Sequence, residues 1–334
     1  MTAPQATPLG SSAATTPIPQ AVETRERRRP RPHGGWVKQG LFVLILLALA
    51  IIFLYPFAWL LSASLKPSAD VFDNRLIPSV WSWPFDRQQS DPRGIFGLDI
   101  PFARWVFNSV WLGFLAAFLT MLASATVAFA FAYFRFPGRS ALFALVLATM
   151  MLPGMVTMIP EFLIWNEIGK WTADGGRFDF LPHIGTRTQY PLWMPALFGS
   201  AFYIFLLRQF FLGIPRELFE AARVDGDSYF SMFRRIALPL AKPALIVVFI
   251  FEIQAKWFDL QRPLIYLAGG DAGLFTLPLG LKTVLDSFGL GGGGEGEWHI
   301  IIAGTLITVL PMILLFAIFQ RYFVQGIATQ GRKG

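Results

Sequence analysis

The chain has 334 residues, of which 54% are hydrophobic and only 15% are charged. Soluble domains contain about 25% charged residues, so this composition indicates an integral membrane protein and argues against a soluble enzyme. The net charge of +7 is better explained by basic loops that set membrane topology than by nucleic-acid binding. The chain has no cysteine, which excludes disulfide bonds.

Six apolar segments are long enough to cross a bilayer, because a membrane-spanning helix needs about 20 residues. The first two segments carry no charge, whereas Glu252 and Lys256 interrupt the fifth. We therefore predict an all-α integral membrane protein with six transmembrane helices. In chain order, the predicted spans are Leu41–Leu65, Trp105–Phe134, Ala141–Pro160, Gln189–Leu207, Pro243–Phe258 and Ile300–Gln320.

The distribution of basic residues along the connections predicts the orientation of the chain. The segment before the first span and the connection 208–242 are rich in Arg and Lys, whereas the connections after the first and third spans balance acidic and basic residues. We therefore expect both termini and residues 208–242 to be cytoplasmic. Residues 1–39 are predicted to be a disordered basic extension, 40–325 a six-span domain and 326–334 a tail.

Residue patterns typical of enzymes and metal sites do not occur in the sequence. It contains no G-x-x-x-x-G-K-[ST] phosphate-binding loop, so the chain is not expected to hydrolyse ATP. Its three histidines are far apart and form no H-E-x-x-H motif, and there is no G-x-S-x-G nucleophile motif. We therefore expect no catalytic residue, no cofactor and no metal site.

The connection between the fourth and fifth spans has the local signals of two short helices joined by a corner. Pro215 is suited to the start of the first helix, and Gly226 is suited to its end. Asp227 or Ser228 can cap the second helix. We predict a helix, a glycine corner and a second helix, which together form a contact for another protein.

The small side chains of Ala221 and Ala222 are expected to form a shallow face that fits a groove in this partner. Glu220 and Arg223 lie three residues apart and can pair on the same helix. A lipid-surface helix is the alternative, but the apolar face of the first helix is small and interrupted.

The same segment matches the whole of a longer pattern, E-A-A-x3-G-x9-I-x-L-P. This pattern resembles the cytoplasmic loop of permease subunits in binding-protein-dependent ABC importers, in particular the sugar branch and the second permease subunit of maltose-type systems. Further stretches support the resemblance, among them "SLKPSADVF", "FRFPGR" and "LRQFFLGIPREL". The matching residues are Glu220, Ala221, Ala222, Gly226, Ile236, Leu238 and Pro239.

The resemblance implies a type I ABC importer fold in the cytoplasmic membrane of a bacterium or archaeon. It also implies four kinds of partner: a second, distinct permease subunit, two ATPase subunits, an extracytoplasmic sugar-binding protein and the lipid bilayer. The matching residues, with Arg223 and Asp225, would contact an ATPase subunit, which hydrolyses ATP in place of this chain. The transported substrate would be a carbohydrate, such as an oligosaccharide or a related sugar derivative or polyol.

In such permeases the tail can reach between the ATPase subunits, which assigns this contact to Gln325, Gly326, Arg332 and Lys333. The tail departs from the family pattern, as does Phe258, which stands where the family often has asparagine.

Two interpretations of the charges in the fifth span remain open. Glu252 and Lys256 lie four residues apart on one helix face, and charges within a span usually face a bundle interior or a water-filled cavity. With Gln254 they could line the path of a hydroxyl-rich solute, or they could form a structural pair against the partner permease. The competing function is an ion-gradient-driven secondary transporter, for which internal repeats and several intramembrane charges would be expected.

Overall fold

A computed structural model of the protein describes residues 35–67, 70–81, 100–288 and 298–328. These residues form helices and the connections between them, and no β-strand occurs among them, as predicted. The 3₁₀-helices Met194–Phe198 and Ala272–Leu274 and the π-helix Phe233–Ala237 accompany the α-helices. The α-helices are α1 Gly35–Ser64, α2 Phe102–Tyr133, α3 Arg139–Thr149, α4 Gly154–Trp171, α5 Tyr190–Trp193, α6 Ala201–Leu212, α7 Arg216–Val224, α8 Tyr229–Met232, α9 Leu238–Leu240, α10 Lys242–Trp257, α11 Gln261–Tyr266, α12 Leu277–Phe288 and α13 Trp298–Ala328.

The chain divides into two units, residues 1–54 and residues 55–334, and the boundary falls within α1. The first unit is described from Gly35 onwards, where α1 begins. The prediction that residues 1–39 are disordered is therefore wrong for 35–39. Once a helix has formed, each added residue gains a backbone hydrogen bond, and the long apolar run extends its helix toward the N-terminus. Residues 1–34 lie outside the described residues.

Four helical segments are each long and apolar enough to cross a membrane. Two bent helix pairs bring the number to six when each pair is counted as one span. The described helices therefore provide up to six spans, as predicted. The predicted third span contains a bend, whereas the predicted fifth span corresponds to α10 and the second bend precedes it. The four segments that are not bent pairs are Lys38–Ser64, Phe102–Tyr133, Tyr190–Leu212 and Trp298–Gln320.

The predicted third span, Ala141–Pro160, is not one straight helix. It consists of the end of α3 and the beginning of α4, and the two axes are bent by 97°. Proline has no N–H and disfavours helical backbone at the residue before it, so Pro153 ends helical propagation at this point. A second bend, of 78°, separates Tyr229–Leu240 from α10, immediately before Pro243.

The predicted fourth span also contains a break and ends later than expected. Gly199 has a φ of +73°, and a Cβ there would lie 2.9 Å from Ser124 Oγ. The backbone N–H of Ser200 donates a 3.0 Å hydrogen bond to that hydroxyl, which satisfies a group released by the break. After the break, α6 continues to Leu212, five residues beyond the predicted end.

The second unit has its main core where α2 packs against α6 and α10. Small side chains on α2, including Ala125, Ala128 and Ala132, let the helices approach closely. Phe129 lies at the end of this core, with its ring centroid 5.2 Å from that of Phe233. The core therefore continues from the membrane-spanning helices into the connection that holds α7 and α8.

Candidate functional site

The helix α7 is attached to the membrane-spanning bundle by its inward face. Phe219 and Ala222 are both buried in the main core. The ring centroid of Phe219 lies 5.9 Å from that of Phe129 on α2. Residues three positions apart share a helix face, so this contact determines which residues of α7 point outward.

The corner after α7 closes with two backbone hydrogen bonds around Gly226. The Gly226 N–H donates to the Arg223 carbonyl at 3.1 Å, and the Asp227 N–H donates to the Ala222 carbonyl at 2.9 Å. Gly226 has a φ of +83°, a backbone conformation that glycine adopts without a steric penalty. Together these features form a Schellman motif, and the prediction that Gly226 ends the helix is confirmed.

The second helix of the connection starts at Ser228. Its side-chain oxygen accepts a hydrogen bond from the Ser231 N–H at 3.2 Å, so Ser228 is the N-cap. Asp227 accepts a 3.0 Å hydrogen bond from the Ser231 hydroxyl and lies 3.9 Å from Arg235. The corner between the two helices therefore has side-chain as well as backbone hydrogen bonds.

The structure separates the two alanines that were expected to form one face. Ala222 is buried in the chain's own core, whereas Ala221 is exposed. The prediction of a joint Ala221–Ala222 face is therefore wrong. Two apolar side chains are instead presented to the outside: Val224 is 88% exposed and Phe230 is 70% exposed. Consecutive helical residues point about 100° apart, so burial of Phe219 and Ala222 turns Ala221 outward.

The remaining predicted coupling residues are distributed over both sides of this connection. Within the described residues Glu220 and Arg223 do not form an ion pair; the Arg223 guanidinium instead lies 5.5 Å from the Tyr229 ring centroid. Ile236 and Leu238 are half-buried against the main core. Three further predicted residues are exposed: Asp225, Gly226 and Pro239.

We define a second candidate site, the central cavity, as a space of about 650 Å³ lined by residues of both span breaks. Non-helical backbone at membrane depth is tolerated where it is buried in protein or lines a water-filled cavity. Thr149 and Met150 come from the first break, and Gly199 and Ser200 from the second. Neither break was predicted from the sequence, although Pro153 was an available signal.

Two ion pairs line the central cavity. Within α10, Lys256 Nζ lies 3.8 Å from Glu252 Oε1, which confirms the predicted pair. The other pair joins different helices, since Arg262 Nη2 of α11 lies 3.7 Å from Glu161 Oε2 of α4. This second pair could not be predicted from the sequence, because its members are about 100 positions apart. Gln254 is exposed and does not belong to the cavity lining, so the predicted group of three is divided.

Tyr266, at the end of α11, lies close to the interhelical pair. Burial, together with the negative charge of Glu161, raises the pKa of its hydroxyl to about 12, and Arg262 opposes this shift. The hydroxyl is buried without a hydrogen-bond partner among the described residues. It is therefore a neutral polar group at the edge of the charged cluster.

The predicted tail contact is only partly described. Gln325 and Gly326 belong to α13, which continues to Ala328. Arg332 and Lys333 lie outside the described residues.

Comparison with known proteins identifies relatives along most of the chain. AraQ of Bacillus subtilis (strain 168), an arabinooligosaccharides transport system permease protein, is 32% identical over 295 residues, which cover 87% of this chain and 94% of AraQ. MalG of Escherichia coli (strain K12), a maltose/maltodextrin transport system permease protein, is 28% identical over 306 residues, covering 89% of this chain and 97% of MalG.

Among solved structures, a chain of a bacterial ABC transporter involved in import of the acidic polysaccharide alginate superposes with a TM-score of 0.70. The two chains are 20% identical, and the match covers 88% of this chain and 99% of the other. This likeness confirms the predicted permease fold. Residues 123–329 match the family described as "Binding-protein-dependent transport system inner membrane component". The range includes α7 and every residue named in the lining of the central cavity except Thr120, and the chain belongs to this family of multi-pass membrane proteins.

Proposed function

We propose that this chain is the transmembrane permease subunit of an ATP-driven carbohydrate importer, and that α7 and α8 dock on a separate ATPase subunit. One observation carries the proposal: a capped helix corner presents the exposed apolar side chains of Val224 and Phe230 between two spans. Covering such apolar side chains with a protein partner lowers the free energy, because it removes apolar surface from water. Membership of the importer family argues against the ion-gradient-driven secondary transporter.

The proposed coupling follows a continuous chain of aromatic contacts. A partner that moves α7 displaces Phe219, which packs on Phe129 of α2. Phe233, beyond the corner, packs on the same ring. Because packed cores transmit strain and change between discrete arrangements, a movement of the corner would reach α2 directly. The central cavity adjoins α2 at Thr120.

We propose the central cavity as the substrate path. Its volume of about 650 Å³ lies within the range of small-molecule sites. Two carboxylates and two cations line it, so its formal charge sums to zero. A neutral, hydroxyl-rich solute fits this lining, because hydroxyl groups both donate and accept hydrogen bonds. The names of AraQ and MalG, which refer to arabinooligosaccharides and maltodextrins, support a carbohydrate.

The assembly follows from the proposed role. A second permease subunit would complete the transmembrane path, two ATPase subunits would dock on the side of α7, and a binding protein would deliver the carbohydrate from the opposite side. ATP hydrolysis then belongs to the partners and not to this chain. The basic connection 208–242 supports a cytoplasmic location for α7 and for both termini. The tail contact of residues 325–334 with the ATPase subunits remains part of this proposal.

The docking proposal is tested by measuring carbohydrate uptake and ATP hydrolysis in liposomes that contain the whole transporter. Val224→Glu places a charge on the proposed contact and should reduce both activities at least tenfold, because burying an unpaired charge is strongly unfavourable. The matched control is Phe180→Glu, since Phe180 is 78% exposed on the connection between the third and fourth spans. Unchanged uptake with Val224→Glu would contradict docking through α7.

The substrate path is tested by a pair of tryptophan substitutions. Thr149→Trp fills part of the central cavity and should reduce uptake, whereas Gln254→Trp adds the same side chain at a position outside the lining. Equal uptake by the two variants would contradict the proposed path.

A further inference from the structure

A cleft of about 400 Å³, which we call the arginine cleft, lies where α2, α6 and α7 meet. Its lining includes neither Val224 nor Phe230, the exposed side chains of the proposed ATPase contact. The arginine cleft therefore lies beside these two side chains, although its lining shares Glu220 and Arg223 with the predicted coupling residues. It is separate from the central cavity.

The arginine cleft has an apolar interior and a cationic lining on its exposed side. Among its lining residues, Phe129, Phe211 and Phe219 are buried, whereas three arginines are exposed. In the described part of the chain these arginines have no carboxylate within ion-pairing distance of 4.0 Å. Glu220 is the acidic residue of the lining, so the three arginines and one glutamate leave two positive charges in excess. The arginines are Arg135, Arg216 and Arg223.

The position of the cleft relative to the spans places it at the depth of lipid headgroups. Tyr133 and Leu212, both in its lining, are the last residues of two membrane-spanning segments. Arg135 follows the first of these ends by two residues, and Arg216 follows the second by four. Basic pockets between membrane-spanning helices attract anionic headgroups when they lie at the membrane surface.

We infer that the arginine cleft binds an anionic phospholipid, with its phosphate against the three arginines and its glycerol and acyl region against the buried phenylalanines. A free phosphate ion shares the anionic chemistry, but it has no group for the apolar interior. The lipid would occupy the angle between α7 and the ends of α2 and α6, so its presence would bias how α7 is held. The inference rests on the fold and on three arginines that have no carboxylate partner among the described residues, and it does not depend on the substrate.

The test uses the purified, delipidated full-length chain, alone and within the assembled transporter. Native mass spectrometry measures binding of phosphatidylglycerol and of phosphatidylcholine with the same acyl chains. Phosphatidylglycerol should bind more tightly. Arg135→Gln should weaken its binding about fivefold, and Arg135→Gln with Arg216→Gln about 25-fold, since each basic residue near an anionic headgroup contributes a factor of this size. Arg234→Gln, an exposed arginine outside the lining, is the matched control and should have no effect.

A variant that is expected to bind more tightly distinguishes a specific charge effect from misfolding, because misfolding would weaken binding. Glu220→Gln removes the negative charge of the lining and should tighten phosphatidylglycerol binding about fivefold. Four results would overturn the inference: equal binding of the two lipids, unchanged binding by the double arginine variant, displacement of phosphatidylglycerol by inorganic phosphate at equal concentration, or loss of lipid binding once the ATPase subunits are bound. The last result would assign the cleft to a protein partner.

Discussion

The corner at Gly226 offers the sharpest test of coupling, because substitution there changes the backbone without creating a clash. Gly226 has a φ of +83°, and a Cβ at this position would have no heavy atom within 4 Å. Gly226→Ala therefore adds conformational strain alone, and an L-residue in the left-handed region is penalised by about 1–2 kcal/mol. The exposed corner has room for the methyl group itself.

This strain should appear mainly when the ATPase subunit docks. The free connection can relieve it by unwinding the last turn of α7, whereas a docked corner must keep its geometry. A penalty of about 1–2 kcal/mol corresponds to docking that is roughly five- to thirtyfold weaker. Carbohydrate uptake at limiting ATPase subunit should fall by a similar factor, while membrane insertion of the chain should not change.

The assay titrates the ATPase subunit against liposomes containing the permease subunits and records bound ATPase and uptake. Gly175→Ala is the matched control, because Gly175 has a φ of +74° and also has nothing within 4 Å of a Cβ. Gly175 lies on the connection between the third and fourth spans, which is predicted to face outward. If both variants dock and transport like the unmodified transporter, the corner is not a coupling element.

Four further outcomes are expected. The purified chain alone should show no ATP hydrolysis, and robust turnover free of copurifying subunits would refute this. Ala221→Trp should weaken ATPase docking without changing the melting temperature of the protein. Ala222→Trp should lower the melting temperature, because of the two alanines only Ala222 is buried in the core. Equal melting temperatures for the two variants would contradict this assignment. Glu252→Gln leaves Lys256 unpaired and should reduce the unfolding free energy by about 3 kcal/mol in a denaturation titration; a change below about 1 kcal/mol would show that the pair is solvated. A cysteine introduced by Ser228→Cys should not react with an impermeant thiol reagent applied to intact cells, and labelling would reverse the proposed orientation.

Local signals account for most of the connection between α6 and α10. Pro215, Gly226 and Ser228 have the positions that their backbone chemistry predicts, at the start of α7, at its end and at the cap of α8. The Glu252–Lys256 pair was predictable for the same reason, because a spacing of four residues places both side chains on one helix face. Each of these features depends on residues within one or two helical turns.

Features that depend on distant residues were either not predicted from the sequence or predicted wrongly. Ala221 and Ala222 have identical side chains, and only the packing of Phe219 on Phe129 decides which of them faces outward. The pairing of Glu161 with Arg262 depends on how α4 and α11 approach each other.

By itself, the sequence determined the helical class, the positions of the apolar segments and the corner at Gly226, because hydrophobic length and backbone preference act locally. The tertiary structure decided where the third and fourth spans break and which side chains meet there. At membrane depth a break is tolerated only where other helices supply polar partners, as the Ser124 hydroxyl does for the Ser200 N–H. The central cavity and the arginine cleft both lie between helices that are far apart in the sequence, so neither site exists until those helices pack.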